Sequence, residues 1–114
     1  MRKYVSYYVY GKFSEARSYM ARSSKPLRER VKVAYLGWLF IVQSDDLPSD
    51  FGTDFSKLQE MLTTEPPSSW RGAVEATLAR MHWRKVQICA DLIVGLADQM
   101  DHLVDPDFDY RRAA

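Results

Sequence analysis

Cys89 is the single cysteine in the 114 residues of this chain, and histidine occurs at two positions, His82 and His102. One cysteine excludes an internal disulfide framework and the paired-cysteine knuckles that hold zinc. Glycine is scarce, and Gly72 and Gly95 stand isolated, so no glycine-rich loop can cradle a phosphate. No Ser/His/Asp spacing and no paired-glutamate motif is present. Long hydrophobic runs are missing too. The longest apolar run, residues 33–42, is about half of the roughly 20 residues that cross a bilayer. The first residues, Met1, Arg2, Lys3 and Tyr4, lack the apolar block of a secretory signal. An excess of one charge sign is also absent. The net charge of +1 gives no global attraction to nucleic acid or to an anionic membrane. These absences lead to the expectation of a cytoplasmic, non-enzymatic protein without metal or cofactor.

What the chain does have is apolar surface. Hydrophobic residues make up 46% of it, enough for a core and too much for a disordered chain. Two stretches, 33–42 and 86–104, are too apolar to lie on a surface with one free side, which points to helices covered on several faces.

Glycine, proline and serine place the breaks. Val5, Tyr8, Val9, Phe13, Ala16, Tyr19 and Met20 share one helical face, which predicts a first helix over about 3–22. A short strand over 4–10 competes, because the segment is rich in aromatic and β-branched residues. Ser23, Ser24 and Pro26 read as a helix start, with serine capping the free amides and proline in the first turn. The second helix then runs over 26–43. Pro48 opens a third, striped by Phe51, Phe55, Leu58 and Leu62. Residues 63–69 form a loop, with a serine cap before Trp70. Beyond Trp70 the apolar face slips. Val74, Thr77, Leu78 and Met81 share one face, whereas Val86, Cys89, Ala90, Ile93, Ala97, Met100 and Val104 share another, turned by roughly 100°. One straight helix there would span about 50 Å, too long for a domain of this size. The reading is therefore two helices, 70–81 and 84–104, with Gly95 a point of close helix contact. Residues 105–114 read as a tail.

Charge is segregated along the chain. Residues 1–32 hold nine Lys or Arg against Glu15 and Glu29, residues 44–66 hold six acids against Lys57, and residues 91–109 hold six aspartates. Asp98, Asp101 and Asp105 crowd the end of the last helix, where the macrodipole disfavours them. Counter-charge from Arg111 and Arg112 or from the first helix would relieve this.

Each potential chemical site has a plainer reading. His102 with Asp98, Asp101 and Asp105 could supply part of a metal site, but such sites in bundles draw ligands from several helices. The aspartates of 105–109 alternate like the opening of a calcium loop, but Tyr110 stands where that loop needs glycine. Cys89 falls on a buried face, where a thiol is inert. The best chemical alternative is nucleic acid, on Arg17, Arg22, Lys25, Arg28 and Arg30 around the first turn, with Tyr4, Tyr7 and Tyr10 off the apolar stripe and available for stacking. Against it, the following helix lacks the polar free face that groove reading needs. A membrane-surface role is weaker, because partner helices give the first helix somewhere to bury its apolar face.

The expected fold is all-α: a compact bundle of four to five antiparallel helices over residues 1–104. The second and last helices form its centre, with Leu27, Val31, Ala34, Tyr35, Trp38 and Ile41 meeting Val86, Ala90, Ile93, Ala97 and Met100. The expected function is a protein-interaction module (adaptor, inhibitor or regulatory subunit), self-associating as a homodimer. The candidate interface residues are Tyr4, Tyr7, Val33, Leu36 and Phe40.

Overall fold

Ser6 opens the first helix. Its hydroxyl accepts the Val9 amide at 3.2 Å, satisfying one of the free N–H groups of the first turn. The computed structural model describes residues 4–66 and 70–104, with the backbone alone for Trp70 and Arg71. Among these the protein is all-α, with helices α1 (Tyr7–Arg22), α2 (Leu27–Ala34), α3 (Ser49–Leu62), α4 (Trp70–Arg80) and α5 (Trp83–Met100). A π-helical turn, Tyr35–Leu39, continues α2, and a 3-10 turn, Ser44–Asp46, precedes α3. No helix among the described residues is long and apolar enough to cross a membrane.

Residues 4–6 resolve the competition between helix and strand in favour of neither. Val5 is buried, donates its amide to the Leu103 carbonyl at 2.9 Å and forms an isolated bridge with Val104. Helix formation waits for Ser6, and α1 starts at Tyr7 rather than near residue 3. Val9, Phe13, Ala16 and Met20 then form its buried stripe, as their spacing predicted. Tyr8, placed on that stripe by the sequence, is instead 62% exposed.

The serines after α1 act differently from expectation. Ser23 closes α1, its amide donating to the Tyr19 carbonyl, while its hydroxyl accepts the Lys25 amide. Pro26 is the N-cap of α2, with no side-chain cap, and Pro48 does the same for α3. The serine cap expected before Trp70 and the tail 105–114 lie outside the described residues.

The largest departure is in the second helix. Regular α-helix ends at Ala34, and the Phe40 amide donates to the Tyr35 carbonyl five residues back. That wider turn changes the register of the apolar residues it carries. Tyr35, Leu36 and Leu39 in it are buried together with Val31 and Ala34 of α2. A 3.6-residue period put Leu36 on the opposite side. The helix also stops short of Gln43, leaving Ile41 exposed while Leu39 and Val42 enter the core.

The slip after Trp70 is a true break. Met81 and His82 separate α4 from α5, and the His82 ring nitrogen Nδ1 accepts the Arg84 amide at 3.2 Å, capping α5. Helix α5 is central: it packs against α1, α2 and α3, and its Val86, Cys89, Ala90, Ile93, Leu96, Ala97 and Met100 are buried. It ends at Met100 rather than 104. Gly95 makes no close helix contact, since a Cβ there would meet nothing within 4 Å. The tight glycine is Gly52 in α3, where a Cβ would stand 2.7 Å from the Ser44 carbonyl oxygen. Val5 pairs with Val104, Arg17 with Asp98, and Ala21 lines a groove with Gln87, so α1 and α5 run antiparallel.

Candidate functional site

The five basic residues singled out around the first turn do not form one surface. Arg17 turns to α5, where Nη1 donates to Asp98 at 2.9 Å and to Asp101 at 3.0 Å. Arg28 donates to the backbone carbonyls of Leu78 and Met81, covering the C-terminal end of α4. Arg30 does the same for α1, its Nη1 donating to the Met20 carbonyl at 3.0 Å and its Nε to that of Lys25 at 2.9 Å. These cations sit where orphan carbonyls and the negative helix pole favour them. Arg22 and Lys25 remain exposed.

The acidic end of α5 finds its counter-charge in α1, as one of the two expected sources. Asp101 accepts from Arg17 and, at 2.9 Å, from the Tyr10 hydroxyl. The Arg17 bond chiefly, and the Tyr10 bond second, hold the Asp101 carboxyl below its ordinary range, while the same carboxylate raises Tyr10. Asp98 and Asp101 are thus turned toward a guanidinium rather than toward His102, which is exposed. Among the described residues no three His, Cys, Asp or Glu side chains converge as a metal site would require. Asp105, Arg111 and Arg112 and the alternating aspartates lie outside the described residues. Burial pushes the Cys89 thiol up, and its Sγ faces the Met81 sulfur within the core.

Apolar surface gathers at the start of α1. Tyr7, Tyr8, Tyr10, Gly11, Lys12, Glu15 and Trp38 line a groove of about 440 Å³ between α1 and the π-helical turn. Tyr7 and Tyr10 meet edge to face at 6.3 Å, and Lys12 Nζ lies 5.2 Å from the centre of the Tyr8 ring. Trp38, expected in the core, is half-buried, and its ring packs on Tyr19 at 5.8 Å. Of the candidate interface residues, Tyr4, Tyr7 and Phe40 are exposed and Val33 is half-buried. Leu36 is a correction: at 7% exposure it belongs to the core, carried there by the π-helical turn. Phe40 lines a separate cavity with Tyr35, Thr63 and Val74. The groove residues that the candidate interface left out include Tyr8 and Trp38. Both lie on apolar stripes, and a stripe gives no sign of which of its residues a neighbouring element fails to reach.

Comparison with protein-family models, with curated proteins and with solved structures gives no match to this chain.

Proposed function

We propose that this chain is a small, non-enzymatic protein-interaction module that pairs with a second copy of itself through the groove between α1 and the π-helical turn. The groove carries the reading: three tyrosines and a tryptophan surround it, and two of the tyrosines are exposed. Aromatic side chains offer large contact area at little entropy cost and dominate interface energetics. Gly11 supports it. A helical glycine costs about 0.5–1 kcal/mol relative to alanine, and nothing inside the chain lies within 4 Å of where its Cβ would be. The bare backbone leaves room for another molecule to come close. Lys12 and Glu15 on the same groove suit a copy of the chain in particular. In a two-fold pairing each lysine can face the partner's glutamate, as a self-complementary surface requires. Sedimentation equilibrium tests this. A concentration-dependent dimer is expected, together with a monomer for Tyr8→Glu and Gly11→Arg whose helical circular dichroism is unchanged. A wild-type protein that stays monomeric to its solubility limit would refute the pairing.

A further inference from the structure

At the far end of α1 two corners of the bundle are tied together. The Arg28 guanidinium, from the α1–α2 corner, grips the carbonyls of Leu78 and Met81 at the α4–α5 corner. Ala21 and Gln87 line one groove, so the end of α1 also meets the first turns of α5. The two corner segments, 22–28 and 80–87, contain Arg22, Lys25, Arg28, Arg80, Arg84 and Lys85, with His82, and no Asp or Glu. Carboxylates stand close by: Glu65 lines a pocket with Arg80, His82 and Lys85, and Asp91 lines the groove of Ala21 and Gln87. Glu65 reaches Arg80 at 3.4 Å, Glu29 is taken by Lys32, and Arg28 is bonded to uncharged carbonyls, which leaves its charge in place. Arg22, Lys25, Arg84 and Lys85 are exposed, and none is paired with a carboxylate among the described residues.

Within this basic end stands an aromatic platform. Trp83 is 58% exposed, the His82 ring stacks beside it at 5.7 Å and 30°, and the Arg84 guanidinium lies 5.3 Å from the indole centre. Imidazole, indole and guanidinium planes are the groups on which unpaired bases stack. We propose that this corner binds single-stranded nucleic acid, with phosphates on Arg22, Lys25, Arg84 and Lys85 and a base against the His82–Trp83–Arg84 stack. Duplex reading does not fit, because the polar side chains of α2, which follows the basic turn, are engaged within the chain: Arg28 and Arg30 donate to backbone carbonyls and Lys32 pairs with Glu29. An acidic protein would match the charge but would leave the platform without a role. This site is independent of the aromatic groove and does not rest on self-association.

Fluorescence anisotropy with a labelled oligouridine, using the full chain, tests the proposal. Release of about four counterion-bearing contacts predicts roughly a 20-fold loss of affinity between about 50 and 150 mM salt. Trp83→Ala should weaken binding about tenfold, as loss of one base stack does. Arg84→Glu with Lys85→Glu should remove binding, and circular dichroism should report an unchanged fold because these side chains are exposed. Absence of binding at the lower salt, or affinity unmoved by these substitutions, would overturn the proposal. So would equal affinity for a duplex of matching length, for polyglutamate or for vesicles of anionic lipid, since each removes the need for the stack.

Discussion

Gly52 and Gly95 sit in helical backbone and have opposite surroundings, so alanine should move stability in opposite directions. At Gly52 the new methyl would stand 2.7 Å from the Ser44 carbonyl, a backbone atom that cannot swing aside. Overpacking of this kind costs about 1–3 kcal/mol. At Gly95 the methyl enters open space, and relief of the unfolded chain's freedom should add about 0.5–1 kcal/mol. Urea midpoints for the two variants should bracket the wild type, and a shift of both in one direction contradicts this account. Cys89 provides a third test at this scale. It is fully buried, so Cys89→Ala should lower stability by about 1–2 kcal/mol. Its thiol should react with a disulfide reagent only after unfolding, because burial disfavours the thiolate. His102→Ala, at an exposed position, should be nearly silent.

Each helix end in this fold solves its own electrostatic problem, and the solutions come from distant sequence. Arg28 covers the carbonyls that close α4, fifty residues away for Leu78. Arg28→Met should cost about 1.5–3 kcal/mol, the range for charged hydrogen bonds. Arg22→Met, on the same corner but exposed, should change stability by less than about 0.5 kcal/mol. Equal effects would mean that the guanidinium contacts contribute nothing. The α1–α5 clamp adds a pH dependence. The Asp101 carboxyl is held below its ordinary value of 3.8, so the stability it contributes is present above that value and disappears as pH falls through the lower folded one. Tyr10 is raised above 10.0, so its contribution is present below that value and is lost as pH rises through the higher folded one. Asp101→Asn should therefore lower the thermal midpoint at neutral pH, and the gap should close in strong acid. A gap independent of pH would show that the carboxylate is not what Arg17 and Tyr10 hold.

At the scale of the whole molecule, antiparallel α1 separates two surfaces of different chemistry. An aromatic groove lies beside its first turns and a basic corner beyond its last. Association through apolar rings responds weakly to salt, whereas phosphate contacts are screened and counterion-dependent. Tyr8→Glu should dissociate the dimer and leave oligonucleotide affinity within about twofold, since loss of the partner site changes no contact at the corner. Trp83→Ala should do the reverse. Sedimentation and anisotropy on both variants check this directly, and loss of both activities in either variant would mean that the surfaces are coupled.

Much of the fold was legible in the sequence because local physics suffices for it. Pro26, Pro48 and Pro66 mark breaks by removing a donor, and the 100° slip between Leu78 and Val86 gives the α4–α5 junction to within a residue or two. The buried face of α5 follows from its period. The register of the second helix was not legible, since a π-helical turn is chosen by what packs around Tyr35–Leu39 and not by a residue type, and with it went Leu36, Trp38 and Ile41. The candidate surfaces were readable only in part. Of the tyrosines read as lying off the stripe, Tyr4 and Tyr7 are exposed but Tyr10 is half-buried and bonded to Asp101, while Tyr8, read as lying on it, is exposed, because which face of α1 stays uncovered is set by the packing. The spacing of apolar residues and the placement of charge along the chain by themselves pointed to a helical bundle with clustered bases. Only the tertiary structure decided that Arg17, Arg28 and Arg30 serve the bundle's own carboxylates and carbonyls, and that the α1–α2 corner is tied through Arg28 to the α4–α5 corner. Charge acts through distance in space, and sequence separation does not encode that distance until the helices have packed.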